Sequence, residues 1–209
     1  MEKQEIRTFG RRHGKKLSAR QDHLIRDLLP RIAPGNAADI LEIGFGAGEH
    51  VRELALHHPD KIIIGAEPFM NGVASLLSAI TDAATDTVRD EYKNIRIYPD
   101  DVRLLLKNHT YQFDQIWILH PDPWPKARHE KRRLLQAEFI QMLSVHLAPR
   151  GRIIIGTDHW DYFDWIVDQI KNTSMRMESA DFETIQTRYC RKNMAGTPAV
   201  KYLILSRDS

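Results

Sequence analysis

Residues 39–49 read Asp-Ile-Leu-Glu-Ile-Gly-Phe-Gly-Ala-Gly-Glu. The apolar run at 39–43 predicts a buried strand, and the glycines after it predict a tight turn that leads into a helix from Glu49. Glycine adopts backbone conformations that other residues avoid, and it lets a ligand approach the main chain closely. This stretch therefore predicts the first strand, turn and helix of a ligand-binding α/β domain.

Predicted strands and helices alternate along the rest of the chain. Further apolar runs predict strands at residues 61–66, 94–98, 113–119, 152–155, 175–178 and 200–205. Amphipathic patterns predict helices after Ser18 and at residues 49–58, 69–84, 102–106, 130–147 and 162–170. Such alternation is typical of an α/β fold with a doubly wound, mostly parallel seven-stranded sheet and helices on both faces. The aromatic residues in and just before the last helix are expected to pack that helix on the sheet, with base stacking as the alternative: Trp160, Tyr162, Phe163 and Trp165.

Length and composition are those of one globular domain without disulfides. The chain has 209 residues, of which 42% are hydrophobic and 28% charged. Its one cysteine, Cys190, cannot form an internal disulfide, so we expect a cytoplasmic location. We expect no membrane partner, because no apolar run approaches about 18 residues, and no metal, because no ligand set is evident. Whether the protein is a monomer or a homodimer stays open.

Basic residues are concentrated in two places, although the net charge is only +2. One group lies at the amino terminus and the other in the middle of the chain: Arg7, Arg11, Arg12, Lys15, Lys16 and Arg20, then Lys126, Arg128, Lys131, Arg132 and Arg133. Both favour a polyanionic partner, although an idle tail and a solvated helix face would look the same. We predict a basic arm at residues 1–17, which orders only on its partner, and a folded domain at residues 18–209.

The glycine spacing indicates the cofactor. Gly44, Gly46 and Gly48 alternate with other residues, and Glu49 follows. A dinucleotide-binding turn needs glycine or alanine at position 49, and a carboxylate there would repel a diphosphate. S-adenosylmethionine has a sulfonium cation and no phosphate, so acidic surroundings suit it. The spacing favours S-adenosylmethionine over NAD, with a plain tight turn as the alternative.

Acidic residues follow the next two predicted strands. Glu67 follows residues 61–66, where a carboxylate can bridge both ribose hydroxyls. Asp100 and Asp101 follow residues 94–98, where one of them can accept a hydrogen bond from the adenine amino group. Strand ends of a doubly wound sheet point toward the ligand crevice. Either aspartate could instead cap the following helix.

The loop after the fourth predicted strand, His120-Pro-Asp-Pro-Trp-Pro-Lys126, has three prolines in five residues. Prolines restrict the backbone, so the loop can hold side chains still for a substrate. Asp122 can accept hydrogen bonds from a base edge, and Trp124 offers a stacking face. Cations directly after the loop, Arg128 among them, can hold phosphate oxygens, which a small-molecule methyltransferase would not need.

These residues resemble a known family, the bacterial tRNA (guanine-N7-)-methyltransferases. The resemblance covers nearly the whole chain and rests on LEIGFGAGEH at 41–50, PDPWPKARHEKRR at 121–133, Gly156-Thr-Asp158 and Thr187-Arg-Tyr189. It implies a Rossmann-like methyltransferase fold and methyl transfer from S-adenosylmethionine to N7 of guanine 46 in the tRNA variable loop.

The resemblance and the residue patterns together predict the site. The expected cofactor contacts are Glu42, Gly44, Gly46, Gly48, Glu67, Asp100, Asp101 and Asp122. Asp122 is the expected catalytic residue, and the expected substrate contacts are Lys126, Arg128, Asp158, Thr187, Arg188, Tyr189 and Cys190. The family usually has glutamate where this chain has Cys190, so a carboxylate acceptor for guanine is lost there. The alternatives are a methyltransferase that acts on an amine of a nucleobase or small molecule and, in view of Cys190, a non-catalytic RNA-binding relative.

Overall fold

The computed structural model describes residue 9, residues 14–179 and residues 200–207. Its strands are β1 (Ile40–Ile43), β2 (Ile63–Ala66), β3 (Ile95–Tyr98), β4 (Phe113–Leu119), β5 (Leu147–Thr157), β6 (Met175–Ser179) and β7 (Lys201–Arg207). Its α-helices are α1 (Ala19–Asp27), α2 (Glu49–His57), α3 (Met70–Ile80), α4 (Val102–Asn108), α5 (Ala137–Val145) and α6 (Trp160–Ile170). The strands form a seven-stranded sheet in the order β3-β2-β1-β4-β5-β7-β6. The predicted α/β fold is confirmed.

The chain divides into two compact units, with the division after Tyr111. In the first unit, β2 pairs in parallel with both β1 and β3. Every residue of β1 and β2 is buried, as expected for predominantly apolar strands in a parallel sheet, and the one charged residue among them is Glu42. Because β1 and β2 run the same way, the glycines after β1 and Glu67 after β2 lie at the same edge of this unit.

In the second unit, β4 and β5 are parallel, whereas β7 runs antiparallel to β5 and β6. The end of β5 therefore lies beside the start of β7, where Thr157 pairs with Lys201. In α6, Tyr162 is buried, as predicted. The same prediction is wrong for Trp160, which is 53% exposed, because it is the first residue of the helix and lies on its outer side.

Within the first unit, hydrogen bonds order the described residues at the amino-terminal end. Ser18 caps α1, because its hydroxyl accepts from the Gln21 amide at 3.2 Å and its own amide donates to the Gln21 side chain at 3.0 Å. Two residues of the predicted arm contact α3: the Gly14 amide donates to Asn71 Oδ1, and Asn71 Nδ2 donates to the Lys15 carbonyl, both at 2.7 Å. Arg7, Arg11 and Arg12 lie outside the described residues.

Two predicted helices differ from the observed ones. The helix predicted at 130–147 is wrong in its first half, where a 3₁₀ segment (Ala127–Arg132, the basic turn) precedes α5. The Gln136 side chain donates to the carbonyls of Glu130 and Arg133, which satisfies acceptors that a continuous helix would use. The helix predicted at 69–84 ends at residue 80, because Thr81 bridges to Val88 in β fashion.

Candidate active site

The turn after β1, residues 44–48, is called the glycine turn here. Gly44, Gly46 and Gly48 have φ of 75°, 57° and 78°, which strongly favour glycine. A Cβ added at Gly44 or Gly46 would meet nothing within 4 Å, whereas one at Gly48 would lie 2.6 Å from Leu76 Cδ1. Gly44 and Gly46 therefore expose main chain to a ligand, and Gly48 allows α2 and α3 to pack closely.

Glu67, after β2, ties the glycine turn to the start of α3. One carboxylate oxygen accepts from the Gly46 amide at 2.8 Å, and the other accepts from the Phe69 amide at 2.9 Å. The residue is 8% exposed. Each carboxylate oxygen can accept more than one hydrogen bond, so Glu67 can support the turn and still bind hydroxyl groups.

Glu42 lies in β1 and pairs with a histidine that the sequence did not single out. His50 Nδ1 lies 3.0 Å from Glu42 Oε2, and both side chains are largely buried. A carboxylate this deep needs a partner, since an unpaired buried charge is costly. The histidine follows the glycine turn in α2, so the pair connects the strand to the helix beyond the turn.

Of the two aspartates after β3, Asp101 is a structural cap. Its carboxylate accepts from the Arg103 amide at 3.0 Å and from the Arg103 guanidinium at 2.8 and 2.6 Å, which raises the pKa of Arg103. Asp101 is 6% exposed, whereas Asp100 is half-buried. Burial, and then the negative charges of Asp100 and Asp101, raise the pKa of the neighbouring Tyr98.

These features of the first unit fit S-adenosylmethionine. The open faces of Gly44 and Gly46 leave room against the main chain, and a Cβ at either position would enter that room. The side chains gathered around the turn include the carboxylates Glu42 and Glu67, whose negative charge would repel a diphosphate. A sulfonium cation with ribose hydroxyls suits this donor and acceptor set.

In the second unit, residues 120–126 form the proline loop. His120 and Trp124 have φ of 49° and 42°, unusual for residues with a side chain. Asp122 is exposed between them. The His120 amide donates to the Gly156 carbonyl at 2.7 Å, and His120 Nδ1 lies 3.3 Å from Asp158 Oδ1. The loop and the end of β5 are thus joined at one edge of this unit.

Arg133 stabilises the proline loop from below, a role that sequence reasoning missed. Its side chain is 5% exposed, and Nε donates to the Pro123 carbonyl at 2.8 Å. The guanidinium lies 4.8 Å from the Trp165 ring centroid and 5.3 Å from that of Tyr162. The sequence grouped Arg133 with the RNA-binding cations, but this buried guanidinium supports the loop instead.

The other cations in and directly before the basic turn lie at or near the surface. Lys126 and Arg128 are exposed, and the Arg132 guanidinium covers the Trp124 ring at 5.1 Å. Partial burial, and then the charges of the surrounding arginines and lysines, lower the pKa of His129. This positive cluster directly follows Asp122. The predicted contacts Thr187, Arg188, Tyr189 and Cys190 lie outside the described residues.

Known proteins are similar to this chain in sequence. Residues 36–195 match a family model described as "Putative methyltransferase". A tRNA (guanine-N(7)-)-methyltransferase of Neorickettsia sennetsu is 36% identical over 196 residues, which cover 91% of this chain and 86% of the relative. One from Caulobacter vibrioides is 37% identical over 210 residues, covering 90% of each. This chain belongs to the tRNA (guanine-N7)-methyltransferase family.

Solved structures agree on the fold of this tRNA (guanine-N7)-methyltransferase family member. A ribosomal RNA methylase from Streptococcus thermophilus matches with a TM-score of 0.55 at 12% identity, covering 93% of this chain and 100% of that one. A precorrin-6y C5,15-methyltransferase from Geobacter metallireducens matches with a TM-score of 0.54 at 16% identity, covering 94% and 92%. The predicted Rossmann-like methyltransferase fold is confirmed, and S-adenosylmethionine is the methyl donor.

Two further properties concern metals and membranes. Across residues 14–179 and 200–207, no three histidine, cysteine or acidic side chains are grouped so that they could hold a metal ion. Within the same described ranges, every helix is too short or too polar to cross a bilayer.

Proposed function

We propose that this protein methylates N7 of guanine 46 in the variable loop of tRNA, in the cytoplasm. The observation that carries the proposal is an exposed carboxylate, Asp122, on a restrained loop followed by the exposed cations Lys126 and Arg128. Such an arrangement can receive a base edge while it binds the phosphates beside it. The relatives from Neorickettsia and Caulobacter, both tRNA (guanine-N7)-methyltransferases by name, support tRNA as the substrate.

The first unit would hold the methyl donor. When bound, S-adenosylmethionine supplies an electrophilic methyl group on a sulfonium sulfur. In our proposal, Gly44 and Gly46 receive it against the main chain, and Glu67 binds the ribose hydroxyls. Adenine recognition falls to Asp100, because the carboxylate of Asp101 is already engaged by α4 and Arg103. A direct cofactor contact by Asp101 rests on its sequence position alone.

The second unit would hold the acceptor base. Guanine N7 has a lone pair and no proton to lose, so its methylation needs no general base. Alignment of the reacting atoms can then supply most of the acceleration, roughly 7–11 kcal/mol for well-oriented groups. Asp122 would orient the purine and stabilise the positive charge that it gains as the methyl group arrives. Asp158 would assist, through its contact with His120 in the proline loop.

RNA binding would come from Lys126, the basic turn and the carboxyl-terminal segment. Lys126 and Arg128 would contact phosphates, since exposed cations next to the acceptor loop match the charge of the tRNA backbone. The family resemblance implies that the segment from Thr187 to Cys190 contacts the target nucleoside or another part of the tRNA. Cys190 cannot supply the carboxylate that the family usually has there, so guanine would be recognised chiefly by Asp122.

The test is transfer of radiolabelled methyl from S-adenosylmethionine to an unmodified tRNA transcript, with nucleoside analysis of the product. We expect label in 7-methylguanosine, and no label when guanine 46 is replaced by adenine. Label in 7-methylguanosine that survives this replacement would keep the reaction and overturn the position. Label in another nucleoside, or none while tRNA and cofactor both bind, would overturn the proposed reaction.

A further inference from the structure

Trp160 is a large aromatic side chain that the proposed mechanism does not use. It begins α6, directly after Asp158 and His159, and is 53% exposed, whereas Tyr162 two residues later is fully buried. Burial would stabilise so large an apolar ring, and its exposure leaves that stabilisation unused in this chain alone. Trp160 therefore has area available for a ligand.

A cation accompanies this ring. Lys201 Nζ lies 3.9 Å from the centroid of the Trp160 ring and 4.7 Å from that of Phe163. We call Trp160, Phe163 and Lys201 the aromatic surface. Lys201 comes from the start of β7, which pairs with Thr157 at the end of β5, so two strands and a helix hold the group together. Its position is therefore set by the sheet and not by a single loop.

The aromatic surface lies next to the edge of the second unit at which the proline loop and the end of β5 are joined. Asp158 precedes Trp160 by two residues, and its Oδ1 lies 3.3 Å from Nδ1 of His120. His120 is the first residue of the proline loop, which carries Asp122. A polynucleotide that presents one base at this loop must pass its neighbouring nucleotides over the adjoining surface of the unit. An aromatic ring beside an ammonium group is suited to a base and its phosphate.

We propose that the aromatic surface binds an unstacked nucleotide next to the target guanine, with the base on the Trp160 ring and the phosphate at Lys201. This inference rests on the proposed function, which makes RNA the substrate. Lys201 lies over one face of the ring, so the base would stack on the opposite face. Stacking tolerates any base, so the surface would position the tRNA without reading its sequence.

The test is the affinity of full-length variants for unmodified tRNA, measured by fluorescence anisotropy. Trp160→Ala should weaken binding roughly 5- to 150-fold, the range for loss of one stacked base. Trp160→Phe should weaken tRNA binding less, because an aromatic ring remains on which the base can stack. Lys201→Gln should reduce the slope of log Kd against log salt by about 0.7–0.9, as expected for one phosphate contact. Val145→Ala, at an exposed apolar position of the same unit, is the matched control.

Affinity for S-adenosylmethionine and the melting temperature should stay at the wild-type values in every variant, since Trp160 is exposed and Lys201 is only partly buried. Trp160→Ala that binds tRNA as tightly as Val145→Ala would overturn the inference, even if the wild type forms 7-methylguanosine. If the wild type transfers no methyl group to tRNA, the proposed function fails, and the same affinity comparison still decides whether Trp160 binds RNA. Equal loss in Trp160→Phe and Trp160→Ala would also count against stacking.

Discussion

The glycine turn and the proline loop both hold an unusual backbone, by opposite means. In the glycine turn, positive φ angles fall on residues without a Cβ, and Glu67 accepts the Gly46 amide at 2.8 Å. In the proline loop, positive φ falls on His120 and Trp124, which have side chains, and a buried arginine binds a loop carbonyl. The first turn is therefore shaped mainly by its own composition. Both are bound by a side chain from outside, Glu67 or Arg133, but only the proline loop has positive φ at residues that carry a Cβ.

The largest effect is expected from breaking the glycine turn at its packed position. Gly48→Ala adds a left-handed strain and a Cβ that overlaps Leu76, so the free energy of unfolding should fall by about 2–5 kcal/mol. In Gly46→Ala the new Cβ lies in open space, so only the left-handed backbone strain should lower the free energy of unfolding, by about 1–2 kcal/mol. Urea denaturation measures both. Equal losses would show that Leu76 moves aside and that packing does not restrict position 48.

Removing the carboxylate from the proline loop comes next. Asp122→Ala should lower turnover about 10²–10³-fold, as loss of one preorganised electrostatic group does. Affinity for S-adenosylmethionine should change much less, because the first unit supplies its main contacts. Single-turnover methyl transfer and calorimetric titration measure the two effects, with Asp122→Asn as the shape-matched control. Wild-type turnover in Asp122→Ala would remove this residue from the mechanism.

Removing the Arg133 side chain, which supports the proline loop, should lower stability by less than Gly48→Ala does. Arg133→Ala removes the guanidinium that donates to the Pro123 carbonyl, so the free energy of unfolding should fall by about 1–3 kcal/mol. Turnover should fall as well, because Asp122 is then less well held. Arg128→Ala is the control, since this exposed arginine should change stability by no more than about 0.5 kcal/mol. Thermal unfolding of both variants decides the point, and equal melting temperatures would contradict the supporting role.

The smallest effect concerns pH. The pKa of His129 lies below its ordinary value of 6.5, because of partial burial and the neighbouring cations. Phosphates bound nearby offset those cations and raise this pKa, so tRNA binding takes up protons. Affinity for tRNA should therefore increase as the pH falls from neutral toward the titration range of His129. Titrations at several pH values should show this slope in the wild type and a flatter one in His129→Gln. An unchanged slope would assign the effect to another group.

Much of the fold could be predicted from the sequence because its signals are local. Residues 113–119 are mostly apolar and bounded by polar residues, and β4 has those limits. The helix after the glycine turn begins at Glu49, as predicted. The helix predicted at 130–147 is wrong because its interruption depends on Gln136, whose side chain binds carbonyls that a periodic pattern does not reveal.

In the candidate site, too, some residues could be identified from the sequence and others only from the structure. The glycines, Glu67 and Asp122 were identified from their places after strands, where turns and ligand-binding groups of α/β domains occur. His50 and Arg133 were not, because a histidine in a helix and an arginine in a basic run look like ordinary surface residues. The distinction between Asp100 and Asp101 also needed the structure, since either could cap α4 and only Asp101 does so.

The sequence by itself determined the order of strands and helices, the left-handed glycine turn and the acidic and basic residues that indicate an RNA methyltransferase. These follow from hydrophobic period, backbone freedom and charge, which each residue has before folding. Only the tertiary structure decided that Arg133 is buried beneath the proline loop, that His50 pairs with Glu42 and that Trp160 is exposed beside Lys201. The physical reason is that burial and pairing depend on which elements pack together, and side chains distant along the chain become neighbours only when the sheet forms.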